Sequence, residues 1–312
     1  MSIKILVHSS PKQAERYAEL LRQHGFTVAT STNEEEARKQ LPGTEVIFCW
    51  RFPVHLLTAP EAASLKWIQT MSAGVDQLVH HVPSQILLTR VVDQFGGSIS
   101  EYVFSYILYL TKDIPRLLRA QGERKWEPFL PEFLSDKTIG VAGLGSIGQE
   151  IVRKARAFDM TVYGLSFSGK HAHLVDRHFG PNEWKAFVKE LDYLVLILPL
   201  TSQTCHVIDR EILYAMKPGA TLINVGRGKL IKEDDLIEVM RSGHLKAAVL
   251  DVFAQEPLPS DHPFWTLPNV FVTPHMSGPG RPEHIARYFA ENLKRYLEGK
   301  PLIGVVDRKA EY

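Results

Sequence analysis

Gly143-Leu144-Gly145-Ser146-Ile147-Gly148 stands between an apolar run, Ile139-Gly140-Val141-Ala142, and a segment whose helical periodicity continues to Phe158. A bare G-x-G-x-x-G also occurs in ordinary turns. Between a strand and a helix, the three glycines have separate roles. The first allows a tight turn, the second lets the backbone approach a pyrophosphate closely, and the third lets the helix pack closely on the strand. The helix N-terminus then offers unpaired N–H groups and the positive end of its dipole to phosphates. The context predicts a dinucleotide site at Gly143, Gly145, Ser146, Ile147 and Gly148. It also commits the surrounding chain to a parallel sheet.

The rest of the chain agrees with that commitment. Ile3–Val7, Phe26–Ala29, Val46–Trp50 and Leu65–Gln69 read as short buried strands, with helical patterns at Pro11–His24 and Glu34–Leu41 between them. After the glycine turn, strands are expected at Thr161–Leu165, Tyr193–Leu198, Thr221–Val225, Ala247–Asp251 and Val270–Thr273, with a last helix over Pro282–Glu298. Strands alternating with helices give parallel sheets covered on both faces. Between the two series, Ser100 to Gln121 reads as one long helix, apolar on more than one side.

A length of 312 residues exceeds what one core ordinarily supports. The reading is therefore two doubly wound α/β domains. A flavodoxin-like substrate domain takes residues 1–97 and recovers 285–312, a Rossmann-type dinucleotide-binding domain takes 98–284, and a cleft separates them. The 36 basic and 35 acidic residues leave a formal charge of +1, which gives no electrostatic footprint for nucleic acid or an anionic membrane. The expected partner is a small molecule. Cys49 and Cys205 show neither C-x-x-C nor zinc spacing, so no metal site is expected and a reducing, cytoplasmic setting fits. No apolar run reaches membrane-spanning length, and the N-terminus lacks a signal-peptide pattern.

Cofactor choice is read from the end of the second strand of the Rossmann series. NAD-binding chains usually carry an acidic residue there, which hydrogen-bonds the ribose 2′-hydroxyl. This chain has Ser166-Phe167-Ser168-Gly169-Lys170 instead. Without a carboxylate to repel a 2′-phosphate, and with Ser166, Ser168 and Lys170 as donors, NADP is expected in preference to NAD. No arginine stands in the usual clamp position.

Three motifs lie farther along: Asn224-Val225-Gly226-Arg227-Gly228, Asp251-Val252-Phe253-Ala254-Gln255-Glu256-Pro257-Leu258 and Thr273-Pro274-His275. With Leu198-Pro199-Leu200-Thr201 before them, they resemble the D-isomer-specific 2-hydroxyacid dehydrogenase family over nearly the whole chain. Trp50, Met71-Ser72-Ala73-Gly74-Val75-Asp76, Pro268-Asn269-Val270 and Val306-Asp307-Arg308 are similar to the glyoxylate/hydroxypyruvate reductase A branch.

The resemblance implies reduction of a small 2-oxo acid, glyoxylate or hydroxypyruvate, and the residue types suit that chemistry. Histidine delivers protons near neutral pH, and a neighbouring glutamate favours the imidazolium and orients the ring. Arginine forks onto a carboxylate in a way lysine does not. The implied set is His275 as acid/base, Glu256 as its partner and Arg227 as substrate anchor. Trp50, Ala73, Gly74 and Val75 would join Arg227 around the substrate. Leu198, Pro199, Val225, Gly226, Asp251, Ser277 and Gly278 would join the cofactor contacts, with Asp251, Ser277 and Gly278 near the nicotinamide amide. Trp126 resembles a residue that reaches a neighbouring subunit's site, and a homodimer is implied. Formate dehydrogenase shares the fold but typically has glutamine at the place of Glu256. Enzymes acting on bulkier 2-oxo acids, and non-catalytic dinucleotide sensors on this fold, remain as alternatives.

Overall fold

The computed structural model describes residues 3–312, which divide into two compact units. The described residues up to Gln94, together with Gly280–Tyr312, form the first; Phe95–Pro279 form the second.

The first unit is built on β1 (Ile5–His8), α1 (Pro11–Gln23), β2 (Val28–Ser31), α2 (Glu34–Gln40), β3 (Val46–Cys49), β4 (Trp67–Thr70) and β5 (Leu87–Thr89). Its sheet is parallel in the order β2-β1-β3-β4-β5, the flavodoxin-like arrangement. β1, β3 and β4 are buried along their whole length, as expected for strands covered on both faces. One covering layer is α1, which turns Ala14, Tyr17, Ala18 and Leu21 inward. The C-terminal helix Pro282–Leu297 returns to the same unit. Its Phe289 stacks on Phe48 at 4.3 Å, and its Asn292 donates to Gln69 Oε1 at 2.9 Å.

The second unit opens with α3 (Gly96–Thr111) and α4 (Ile114–Gly122), not with one continuous helix. Pro115 has no N–H to return to the preceding turn, and Asp113, in a left-handed conformation at φ 47°, caps the new helix by accepting from Arg116 N–H. Then follow β6 (Thr138–Ala142), α5 (Ser146–Ala157), β7 (Thr161–Leu165), β8 (Arg177–Phe179), α6 (Trp184–Val188), β9 (Tyr193–Leu196), α7 (Arg210–Ala215), β10 (Thr221–Asn224), α8 (Glu233–Ser242), β11 (Ala247–Leu250) and β12 (Val270–Val272). All seven strands are parallel, in the order β12-β11-β10-β9-β6-β7-β8. The short edge strand β8 is not among those expected from the sequence, because it carries too few residues to show a period. The order reverses between β6 and β9, and ligands of such sheets bind outside the carboxyl ends of the strands at that switch point.

Candidate active site

The glycine turn sits at this switch point. A Cβ on Gly148 would lie 1.8 Å from the Gly143 carbonyl oxygen, so only glycine lets α5 begin this close to the turn. A Cβ on Gly145 would meet nothing within 4 Å. The turn is closed on its protein side and open on its outer side, which is the shape a pyrophosphate needs. The residues present fit a dinucleotide.

The other expected cofactor residues of this unit also follow strand ends. Ser166, Ser168 and Lys170 lie just past β7, Leu198 and Pro199 past β9, Val225 and Gly226 past β10, Asp251 past β11, and Ser277 and Gly278 past β12. Trp50 follows β3 in the first unit and is 46% exposed, so it is not a core tryptophan. Ala73, Gly74 and Val75 follow β4 in that unit, and Val75 packs into its hydrophobic core.

Three catalytic candidates come from three different loops of the second unit. Arg227 follows β10, where Asn224 brackets it: the Asn224 amide donates to the Arg227 carbonyl at 2.9 Å, and its Oδ1 accepts from Gly226 N–H at 3.1 Å. The guanidinium donates to the Gly226 carbonyl at 2.7 Å. At the next residue, a Cβ on Gly228 would fall 1.9 Å from the carbonyl carbon of Phe253. The Arg227 loop therefore lies directly against the loop that carries Glu256.

In that second loop, Glu256 Oε1 accepts from Phe253 N–H at 3.1 Å, while Ala254 N–H donates to Glu233 Oε1 of α8 at 2.9 Å. With one oxygen fixed on its own turn, Glu256 directs Oε2 at His275 Nδ1, 2.8 Å away. The pairing assigns the proton between them to Nδ1 and leaves Nε2 outside that contact. The histidine side chain is 46% exposed and the glutamate 27%, so the pair is open to a ligand.

His275 sits at φ 51°, a left-handed conformation uncommon for a non-glycine residue. Asp251 holds it there. Its fully buried carboxylate accepts from Thr273 Oγ1 at 2.6 Å, from Met276 N–H at 2.8 Å and from Ser277 N–H at 2.8 Å. Its backbone carbonyl accepts His275 N–H at 2.9 Å. Burying a carboxylate is costly unless donors surround it, and here they all come from the segment bearing the histidine. Because the carboxylate only accepts, the Thr273 proton points to Asp251, and the Tyr102 hydroxyl of α3 donates to Thr273 across 2.6 Å. Burial pushes the Tyr102 phenol well above its usual value, which keeps that donor protonated. The sequence assigns Tyr102 and Thr273 no such role. Tyr102 reads there as one more apolar position of a helix, and nothing in its spacing points to a residue 171 positions away.

Fold and site together define a dinucleotide-binding oxidoreductase with a histidine–carboxylate pair. The family described as D-isomer specific 2-hydroxyacid dehydrogenase, NAD binding domain, matches residues 104–277. The chain is 32% identical over 266 residues to glyoxylate/hydroxypyruvate reductase A of Serratia proteamaculans (strain 568), covering 83% of this chain and 84% of that protein. Among solved structures it is similar to NADPH-dependent glyoxylate/hydroxypyruvate reductase of Sinorhizobium meliloti in complex with NADP and sulfate, at TM-score 0.90 and 28% identity over 100% of both chains. A D-isomer specific 2-hydroxyacid dehydrogenase of Xanthobacter autotrophicus Py2, in complex with NADPH and MES, gives TM-score 0.89 and 29% identity over 100% of both. The chain belongs to the D-isomer specific 2-hydroxyacid dehydrogenase family.

Proposed function

We propose that this enzyme reduces glyoxylate and hydroxypyruvate to their 2-hydroxy acids with NADPH. The observation that carries the reading is the His275 Nδ1–Glu256 Oε2 contact of 2.8 Å, on a loop packed against the one bearing Arg227. The names of the relatives supply the substrates, and the NADP-bound neighbours supply the cofactor.

A reduced nicotinamide, when bound, supplies the hydride. The chain supplies the rest. Arg227 holds the substrate carboxylate and draws electron density toward the keto oxygen. His275 Nε2–H gives its proton to that oxygen as negative charge develops there, and Glu256 stabilises and aligns the imidazolium before transfer. Gly143, Gly145, Ser146, Ile147 and Gly148 receive the pyrophosphate at the start of α5, with Ser166, Ser168 and Lys170 toward the 2′-phosphate. Leu198, Pro199, Val225, Gly226, Ser277 and Gly278 complete the cofactor contacts, while Asp251, expected among them from the family resemblance, is fully buried and supports them by accepting from Ser277 N–H. The substrate contacts of Trp50, Ala73, Gly74 and Val75 are supported by the family resemblance.

The working form we propose is a cytoplasmic homodimer. Leu118, Trp126, Leu130 and Phe133 are exposed on α4 and the segment after it, Trp126 to 96%. Apolar surface clustered in this way is ordinarily covered by a second protein surface. Two unpaired cysteines, Cys49 buried and Cys205 exposed, fit a reducing compartment. Among the described residues no helix is long and apolar enough to cross a membrane.

Initial rates with glyoxylate, hydroxypyruvate, pyruvate and phenylpyruvate, each against NADPH and NADH, test the catalytic reading. The two small substrates with NADPH should give the highest kcat/KM. Faster turnover of phenylpyruvate, or a clear preference for NADH, would overturn it.

A further inference from the structure

Just past β7, Ser166 is buried while Phe167, Ser168 and Lys170 are exposed. Its N–H donates to the Phe179 carbonyl at 3.2 Å, and its hydroxyl lies 2.8 Å from His178 Nε2 on β8. His178 is in register with Gly164, where a Cβ would meet Leu144 of the glycine turn at 2.9 Å. His178 thus lies on the sheet face that carries the turn. The same ring lies under the loop itself, since its Cε1 would be 3.9 Å from a Cβ on Gly169. The neighbouring cation is occupied elsewhere. Arg177 alternates to the other face and lies over the rings of Phe179 at 4.6 Å and Tyr163 at 5.9 Å.

We infer that His178 is a positioning residue for cofactor selectivity: it orients the Ser166 hydroxyl toward the 2′-phosphate of NADPH. A serine hydroxyl has one proton and two acceptor sites. If that proton went to the imidazole, Ser166 would present lone pairs to an anion. When His178 Nε2–H donates into Ser166 Oγ, the serine proton is free to point outward at the phosphate. The 2′-phosphate accepts only, so its arrival selects this polarity, with hydrogen bonds running from His178 to Ser166 to phosphate. No proton is transferred. The inference rests on the NADPH reading and adds a residue that touches neither cofactor nor substrate.

The test is calorimetric binding of 2′,5′-ADP and 5′-AMP to the full-length chain and to H178L, H178Q, S166A and H178L/S166A, read as the ratio of the two affinities. The unsubstituted protein should favour 2′,5′-ADP, and H178L and S166A should each reduce that preference by about tenfold. The double variant should lose little more than either single one, because both remove the same interaction. H178Q places an amide N–H near the position of Nε2 and should keep most of the preference. A preference unchanged in H178L, an equal loss for both ligands, or additive losses in the double variant would overturn the assignment to His178. If the unsubstituted protein failed to distinguish the two ligands, the NADPH reading would fall first, and this inference with it.

Discussion

Thr273 Oγ1 donates to Asp251 Oδ1 across 2.6 Å, and that bond ties the end of β12 to the end of β11 two residues before the proposed acid. The threonine also accepts from Tyr102, so three residues far apart in sequence share one short chain of hydrogen bonds. Replacing Thr273 with Val keeps the shape and removes both contacts. A buried acceptor and a partly buried donor would each lose a partner, at a cost of about 1–3 kcal/mol. Urea denaturation should show the loss, with a parallel fall in kcat as His275 loses its fixed position. Tyr102→Phe removes a donor only and should cost less. Equal stability of both variants and the unsubstituted protein would show that this chain of bonds carries no weight.

His275→Ala should lower kcat by roughly 10²–10⁴, the span associated with a positioned general acid, while NADPH titration by fluorescence still saturates. Glu256→Gln keeps a group of the same size near Nδ1 without its charge. It should lower kcat by about 10- to 100-fold, less than loss of the imidazole. If Glu256→Gln were the more damaging of the two, the glutamate would be acting on substrate directly.

Arg227→Lys preserves charge and discards the fork. Loss of one charge-assisted hydrogen bond should lower kcat/KM for glyoxylate by roughly 10- to 100-fold, mainly through KM. Unchanged saturation would place the carboxylate elsewhere.

His8 provides a pH test of the first unit. It is buried at the end of β1, 2.8 Å from Ser31 Oγ, and burial holds its pKa below the ordinary 6.5, opposed by the more distant Glu36. The unfolded chain therefore takes up this proton more readily than the native one. The contribution to stability is intact above pH 6.5 and is lost as pH falls toward the depressed native value. His8→Asn keeps a polar group in reach of Ser31 and cannot titrate. Its Tm should fall less than that of the unsubstituted protein between about pH 7.5 and about pH 5.5. Parallel Tm curves would exclude His8 as a contributor.

Much of the cofactor unit is legible in the sequence because its signals are local. The glycine spacing needs only the strand before it and the helix after it, and each catalytic motif stands just past a short apolar run. Ser100–Gln121 reads as one helix because a periodic pattern continues across Pro115 and Asp113, although a proline two residues into a new helix is a known punctuation. The strand Arg177–Phe179 leaves no such signal, because three residues at a sheet edge are specified by the neighbour they pair with.

The sequence by itself determined the glycine turn, the order of the strands that carry Arg227, Glu256 and His275, and the absence of an acid at Ser166. These depend on residue type and spacing along the chain. Only the tertiary structure decided that Glu256 spends Oε1 on its own loop and Oε2 on His275, that Asp251 gathers the donors of the histidine segment, and that His178 stands behind Ser166. Hydrogen bonds between side chains on separate strands leave no period in a sequence. They arise where the parallel sheet brings the ends of distant strands together, and their geometry exists only once it has formed.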